Sequence, residues 1–204
     1  MVAEPTVVVV DDDDAVRDSL QAMLEAEGFA VETFAAAADF LEGYRPASNS
    51  CLVIDVRMPG MDGIELLTKL ATRVSSPPVI MMTGHGDVPM AVMAMKLGAV
   101  DFVEKPFAAA ALVRSIRDAL ATCRPASTAT HEIDGRLARL TGRERDVLEQ
   151  LVVGRSNKEI ALELGISPRT VEIHRARVME KMQAQSLSHL VRMALAAGID
   201  PGEA

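Results

Sequence analysis

Several polar side chains stand where short apolar runs end, and their types suit a divalent cation and a phosphoryl group. Asp55 closes the run Cys51-Leu-Val-Ile54 and leads into Arg57-Met-Pro-Gly60 and then Asp62-Gly63. Val7 to Val10 open into Asp11, Asp12, Asp13 and Asp14. Thr83 ends Pro78-Val-Ile-Met-Met82, and Lys105-Pro106 follows Val100-Asp-Phe-Val-Glu104. If these runs are parallel strands, their ends meet at the edge where open α/β sheets carry their chemistry. A carboxylate nucleophile there needs a cation to offset the charge on an incoming phosphoryl group.

The elements that position these residues follow from periodicity. Strands are expected near 6–11, 29–34, 51–55, 78–83 and 100–104, separated by segments of helical spacing such as Val16, Leu20, Met23 and Leu24, ended by Gly28. Ile64, Leu67, Leu70 and Val74 repeat the pattern, as do Val92, Met95 and Leu97, and then Leu112, Val113, Ile116 and Leu120. Five alternating β/α units predict a flavodoxin-like domain, a parallel five-stranded sheet with helices on both faces, over 1–121. Asp13 and Asp14 are read as stabilising the start of the first helix, where the backbone dipole favours negative charge.

Around Cys123-Arg-Pro-Ala-Ser-Thr-Ala-Thr-His131 the pattern breaks, so 122–137 is expected to be a linker, with helix resuming near Ile133. Beyond it, 138–204 reads as a small all-α domain of four helices. Thr141 with Glu144 and Ser156 with Glu159 have capping-box spacing, Ser167 precedes Pro168 at a first helical position, and Ser186 opens a last helix. Gly154 and Gly165 fit the stops.

Charge separates the same two regions. Residues 1–120 hold 18 acidic and 9 basic side chains, a net −9, and residues 121–204 hold 11 and 12, a net +1. Between Ser167 and Arg192 five basic residues face only Glu172 and Glu180. No run of about 18 apolar residues suggests a membrane span, and no signal-peptide pattern is seen at the start, so a cytoplasmic location without membrane contact is expected. Two cysteines 72 positions apart, Cys51 and Cys123, fit neither a disulfide framework nor a zinc site.

In order and spacing, Asp11-Asp12, Asp55 with Met58-Pro-Gly-Met-Asp-Gly63, Thr83-Gly84 and Lys105-Pro106 resemble a response-regulator receiver domain. Leu140-Thr-Gly-Arg-Glu-Arg-Asp-Val-Leu148, Ser156-Asn-Lys-Glu-Ile-Ala161 and Ile166-Ser-Pro-Arg-Thr-Val-Glu-Ile-His174 resemble the LuxR/NarL-type helix-turn-helix. Met82-Thr-Gly-His-Gly-Asp-Val-Pro89, Met95-Lys-Leu-Gly-Ala-Val-Asp-Phe102 and Met182-Gln-Ala-Gln-Ser-Leu187 are similar to the FixJ type within this family. His174 is a departure, since the resemblance leads one to expect Tyr there.

The resemblance implies that Asp55 is the phosphoacceptor, attacking a phosphohistidine on a sensor histidine kinase. Mg²⁺ would be held by Asp11, Asp12, Asp55 and the backbone carbonyl of Arg57. Lys105 and Thr83 would bind phosphoryl oxygens, with Thr83 and Phe102 as the switch pair. Val92, Lys96, Asp101 and Arg114 would form the homodimer interface on phosphorylation, where the opposite charges suit a self-complementary two-fold contact. In the second domain the helix from Pro168 would enter the major groove of promoter double-stranded DNA. Thr170, Glu172, Ile173 and Arg177 are the expected DNA contacts together with Arg169 and Lys181, and Lys158 and Arg175 are expected on phosphates. RNA polymerase is a further implied partner, and the regulated genes would be nitrogen-fixation and oxygen-responsive ones.

Two other readings stay open. Aspartyl-phosphate hydrolases also use a strand-end Asp with Mg²⁺, but they carry a second Asp two positions on, where this chain has Arg57. Without that carboxylate to activate water the chain is read as not an enzyme. The other keeps both domains and assigns a different kinase and regulon, or DNA binding that does not need phosphate.

Overall fold

The computed structural model describes residues 5–45, 49–72, 76–84, 88–121 and 129–199. Val74, His85, Cys123 and linker positions 122–128 lie outside them. The chain divides into two compact units, one built on a sheet and one entirely helical.

In the first unit the strands are β1 (Thr6–Val10), β2 (Ala30–Phe34), β3 (Ser50–Asp55), β4 (Val79–Thr83) and β5 (Asp101–Glu104). All neighbours pair in parallel, in the order β2-β1-β3-β4-β5. Val7 to Val10 and Cys51 to Ile54 are wholly buried, as expected for central parallel strands covered on both faces. The helices of this part of the chain are α1 (Asp14–Ala26), α2 (Ala37–Gly43), α3 (Gly63–Ala71), α4 (Val88–Lys96) and α5 (Ala109–Ala121), of which α4 groups with the helical unit. Alternate strand residues serve opposite faces. Val7, Val9, Cys51, Val53, Ile80 and Met82 pack with Leu20 and Leu24 of α1 and with Leu112 and Ile116 of α5.

Asp13 caps α1, its carboxylate accepting from the backbone N–H of Ala15 and Val16, which fits the helix-start role expected of it. Asp62 caps α3 in the same way, accepting from the Glu65 N–H at 2.7 Å. α2 carries no side-chain cap, because its N-cap residue is Ala36.

The second unit contains α6 (Ala129–Leu137), α7 (Gly142–Val153), α8 (Asn157–Leu164), α9 (Pro168–Met182) and α10 (Leu187–Ala196). Both expected capping boxes are present, at Thr141 and Ser156, and both expected stops hold, Gly154 at φ 93° and Gly165 at φ 64°. The range 122–137 expected to be a linker contains α6. α6 starts four residues before Ile133, and Ile133 and Leu137 are buried in the same core as Val147, Leu151, Val171, Val178 and Leu190. Arg136 donates to the Met182 carbonyl at 3.2 Å. Burial of two apolar side chains and a tie to the end of α9 make α6 part of this helical unit.

Candidate functional site

The strand order places the topological switch between β1 and β3, and the carboxyl ends of these strands deliver Asp11 and Asp55 side by side. Asp11 is 1% exposed, Asp55 6% and Thr83 0%. Lys105 joins the two carboxylates, its Nζ donating to Asp11 Oδ2 and to Asp55 Oδ1, each at 2.6 Å. The Arg57 backbone N–H donates to the other oxygen, Asp55 Oδ2, at 2.7 Å. The Asp13 N–H donates to Asp11 Oδ1 at 3.0 Å. Thr83 lies beside Lys105 in the chain of contacts, its carbonyl accepting from the Lys105 N–H at 2.7 Å. Asp12 is exposed, and Phe102 is half-buried.

Charge and burial oppose each other here. Burial pushes the Asp55 carboxyl above its ordinary value, and the Asp11 charge adds to the rise, against the hydrogen bond and positive charge of Lys105. Burial would lower the Lys105 ammonium, yet its hydrogen bonds to Asp11 and Asp55 together outweigh that and hold it above the usual lysine value. The result is a protonated amine poised between two carboxylates, one of them reluctant to be charged.

Two residues that periodicity did not single out build the frame. Arg17 of α1 donates from Nη1 to the Asp11 carbonyl at 2.6 Å and from Nη2 to Asp14, so it ties the acidic loop to the helix. The three-residue spacing from Asp14 foretells only the second contact. Gly63 starts α3 against Asp55, where an added Cβ would lie 2.2 Å from the Asp55 carbonyl oxygen and 2.9 Å from the Met81 methyl. Only glycine lets this helix come so close. Beside the site, a groove of about 500 Å³ runs along α1 to the segment after β5, lined by Val16, Leu20, Met23, Pro106 and Phe107 and ending at Lys105.

Among the described residues, no three His, Cys, Asp or Glu side chains gather into a ready-made metal cage. The donor set nonetheless fits Mg²⁺, which keeps several waters and takes one or two carboxylates. Asp11 and Asp55 already converge within reach of one cation, the Lys105 ammonium.

The four residues expected at a dimer interface fall into different settings. Lys96 and Arg114 are exposed. Asp101 is half-buried, accepting from the Phe102 N–H at 2.9 Å and from the Ser115 hydroxyl. Val92 is 2% exposed.

On α9 the inward stripe is Val171, Val178 and Met182, each 0% exposed, as the spacing requires. Arg169, Glu172, Ile173 and Arg177 are exposed, and Lys158 is exposed on α8. Thr170 is half-buried, its hydroxyl 2.8 Å from that of Ser167. Two basic residues expected among the DNA contacts are hydrogen-bonded within the helical unit. Arg175 donates to Asn157 Oδ1 at 2.6 Å and is half-buried against α8. Lys181 donates to the buried Glu144 at 2.5 Å. That contact, with the Thr141 backbone, holds the Glu144 carboxyl down at about 2. His174 is half-buried, and its Nδ1 is buried without a hydrogen-bond partner, which fits packing better than contact with a ligand.

Comparison with known proteins matches residues 7–117 to the response regulator receiver domain and residues 138–194 to the bacterial regulatory proteins of the luxR family. The chain is 54% identical over 198 residues to the transcriptional regulatory protein FixJ of Azorhizobium caulinodans, covering 96% of this chain and 94% of that one. It is 51% identical over 199 residues to FixJ of Rhizobium meliloti, covering 96% and 98%. The solved structure of full-length FixJ from B. japonicum superposes with a TM-score of 0.57 at 51% identity, covering 97% of this chain and 99% of that one. Among the described residues, no helix is long and apolar enough to cross a membrane.

Proposed function

Because this chain belongs to the two-component transcriptional response regulators of FixJ-like build, a receiver domain joined to a LuxR-type DNA-binding domain, we propose that Asp55 is its phosphoacceptor. The observation that carries this is the meeting of Asp11, Asp55 and Lys105 at the switch point of the sheet, with both Asp55 oxygens already held by donors. A family of this kind works with a kinase and with DNA, and its receivers generally bind Mg²⁺ at the phosphorylation site.

An Asp55 carboxylate oxygen attacks the phosphorus of a kinase phosphohistidine. The new O–P bond forms as the P–N bond breaks, and the imidazole leaves with the electron pair. Asp11, Asp12, Asp55 and the Arg57 carbonyl would hold Mg²⁺, which when bound offsets the negative charge gathering on the phosphoryl oxygens. Lys105, freed from one carboxylate, pairs with a phosphoryl oxygen, and the Thr83 hydroxyl takes another. The groove beside Lys105 offers the kinase an apolar seat next to the nucleophile. The position two residues after Asp55 is Arg57, so no carboxylate is placed there to activate water, which favours a lasting acyl phosphate over turnover.

Movement of Thr83 toward the phosphate, with Phe102 turning in behind it, would reshape the surface carrying Lys96, Asp101 and Arg114 and favour a homodimer. Dimerisation then places two α9 helices on paired half-sites of promoter DNA, with Arg169, Thr170, Glu172, Ile173 and Arg177 toward the groove and Lys158 toward phosphate. A unit of net charge near +1 binds DNA weakly by itself, and pairing raises the effective concentration of the second. RNA polymerase would be recruited there, at genes of nitrogen fixation and oxygen response. The test is incubation with phosphoramidate and Mg²⁺ followed by intact mass and peptide mapping. One phosphoryl group on Asp55, absent in Asp55→Asn, is expected; label retained by Asp55→Asn would overturn the assignment.

A further inference from the structure

The exposed side of α9 presents an acid among bases. With Val171, Val178 and Met182 turned into the core, and with Arg175 and Lys181 tied to Asn157 and Glu144, the first three turns leave Arg169, Glu172, Ile173, Ala176 and Arg177 outward. Glu172 lies in the middle of that group, half-exposed, with Oε2 accepting from Arg169 Nη1 at 2.8 Å. Ile173 beside it keeps 45% of its surface open.

A carboxylate carried toward DNA meets a phosphate field of its own sign. It gains there only if a base donates to it. In the major groove the donors are the exocyclic amines of cytosine and adenine, while guanine and thymine present acceptors on their own edges. Carboxylates are suited to cytosine N4, and the two-pronged readout of adenine N6 and N7 needs the amide of Gln or Asn. The ion pair with Arg169 does not stand in the way. It is exposed on both sides, 82% and 50%, and exposed pairs are weak beside a buried base contact.

Resting on the reading of α9 as the groove-entering helix, we propose that Glu172 is a specificity-determining residue that selects cytosine at one position of each half-site. Its charge also acts against guanine and thymine there, because a desolvated carboxylate facing an acceptor or a methyl group has no partner, and adenine sets its N7 acceptor beside the N6 donor. Glu172 thereby lowers affinity for DNA in general while raising discrimination.

The test is selection from a pool of random DNA duplexes by the full chain, activated with beryllium fluoride and Mg²⁺, followed by sequencing. The wild type is expected to enrich a motif with cytosine at one defined position per half-site. Glu172→Ala should keep the rest of the motif, lose the preference there by about tenfold, and bind unselected duplex more tightly. Glu172→Gln should shift the preference at that position from cytosine to adenine. The same motif from all three proteins would overturn the role of Glu172 and leave α9 as the reading helix. No motif from the folded, activated wild type would overturn the DNA reading and this inference together.

Discussion

Lys105 donates from Nζ to Oδ1 of Asp55 over 2.6 Å, although the two residues stand 50 positions apart in the chain. The same ammonium reaches Asp11. The site at rest is a neutralised cluster in which the proposed nucleophile is the member that burial disfavours as an anion.

That imbalance has a pH signature. The folded Asp55 carboxyl is raised above 3.8, so the folded chain holds this proton more tightly than the unfolded one. Stability from this group is therefore lost as pH rises past 3.8 toward the raised value. Asp55→Asn omits the cost, and urea unfolding should find it at least as stable as wild type at pH 7, with the gap closing in acid. Lys105→Met should do the opposite at pH 7. It strands two carboxylates and should cost about 3 kcal/mol, the low end for a buried pair, because Lys105 keeps 23% of its side-chain surface. A less stable Asp55→Asn would mean that pairing with Lys105 outweighs burial.

Gly63 is expected to be intolerant of any side chain. The nearest atom meeting its Cβ is the Asp55 backbone carbonyl oxygen, which cannot move aside without shifting Asp55 itself. Gly63→Ala should lose about 3 kcal/mol or more and most phosphate acceptance. Gly135→Ala in α6, where nothing lies within 4 Å, should instead gain up to about 1 kcal/mol from helix propensity. Thermal melts of both variants decide the point.

Glu144 governs the acid limit of the helical unit. Its carboxyl is held at about 2 against an ordinary 4.5, so its stabilisation is complete above 4.5 and is lost as pH falls from there through 2. Circular dichroism of Glu144→Gln should show a lower melting temperature at pH 7 and a flatter decline across that window. An unchanged decline would remove the Glu144–Lys181 contact from the account of acid unfolding.

Arg175 and Asn157 lock α9 to α8 through one charge-assisted hydrogen bond of 2.6 Å. Asn157→Ala and Arg175→Ala should each cost about 1.5–3 kcal/mol. Combined, they should cost clearly less than the sum, with a coupling of about 1 kcal/mol or more. Additive losses would show that the bond contributes nothing to the angle at which α9 is presented.

Strand positions and chemistry were legible together because Asp11, Asp55 and Thr83 stand at the ends of buried strands. Val7 to Asp11, Cys51 to Asp55 and Val79 to Thr83 need only an uninterrupted apolar run and a polar terminus to be read. Helix starts in the second unit were equally plain, since Thr141, Ser156, Ser167 and Ser186 are caps that act within three residues. α2 was left without a signal because Ala36 offers no capping oxygen. The start of α6, a helix expected only from near Ile133, hid behind a small-residue segment, and its docking is set by partners such as Met182, 46 positions on. Lys181 looks free on a helical wheel and Arg175 falls beside the Val171–Val178 stripe, but their partners, Glu144 and Asn157, lie 37 and 18 positions away. Local pattern reveals faces; which charged residue on a face is already engaged depends on what folds against it.

The solution mass by light scattering, with and without beryllium fluoride and Mg²⁺, tests most directly the link from Asp55 to DNA. Wild type is expected to pass from monomer to dimer on activation while Asp55→Asn stays monomeric. A wild type that binds beryllium fluoride at Asp55 and remains monomeric would contradict phosphorylation-driven pairing as the output of this site.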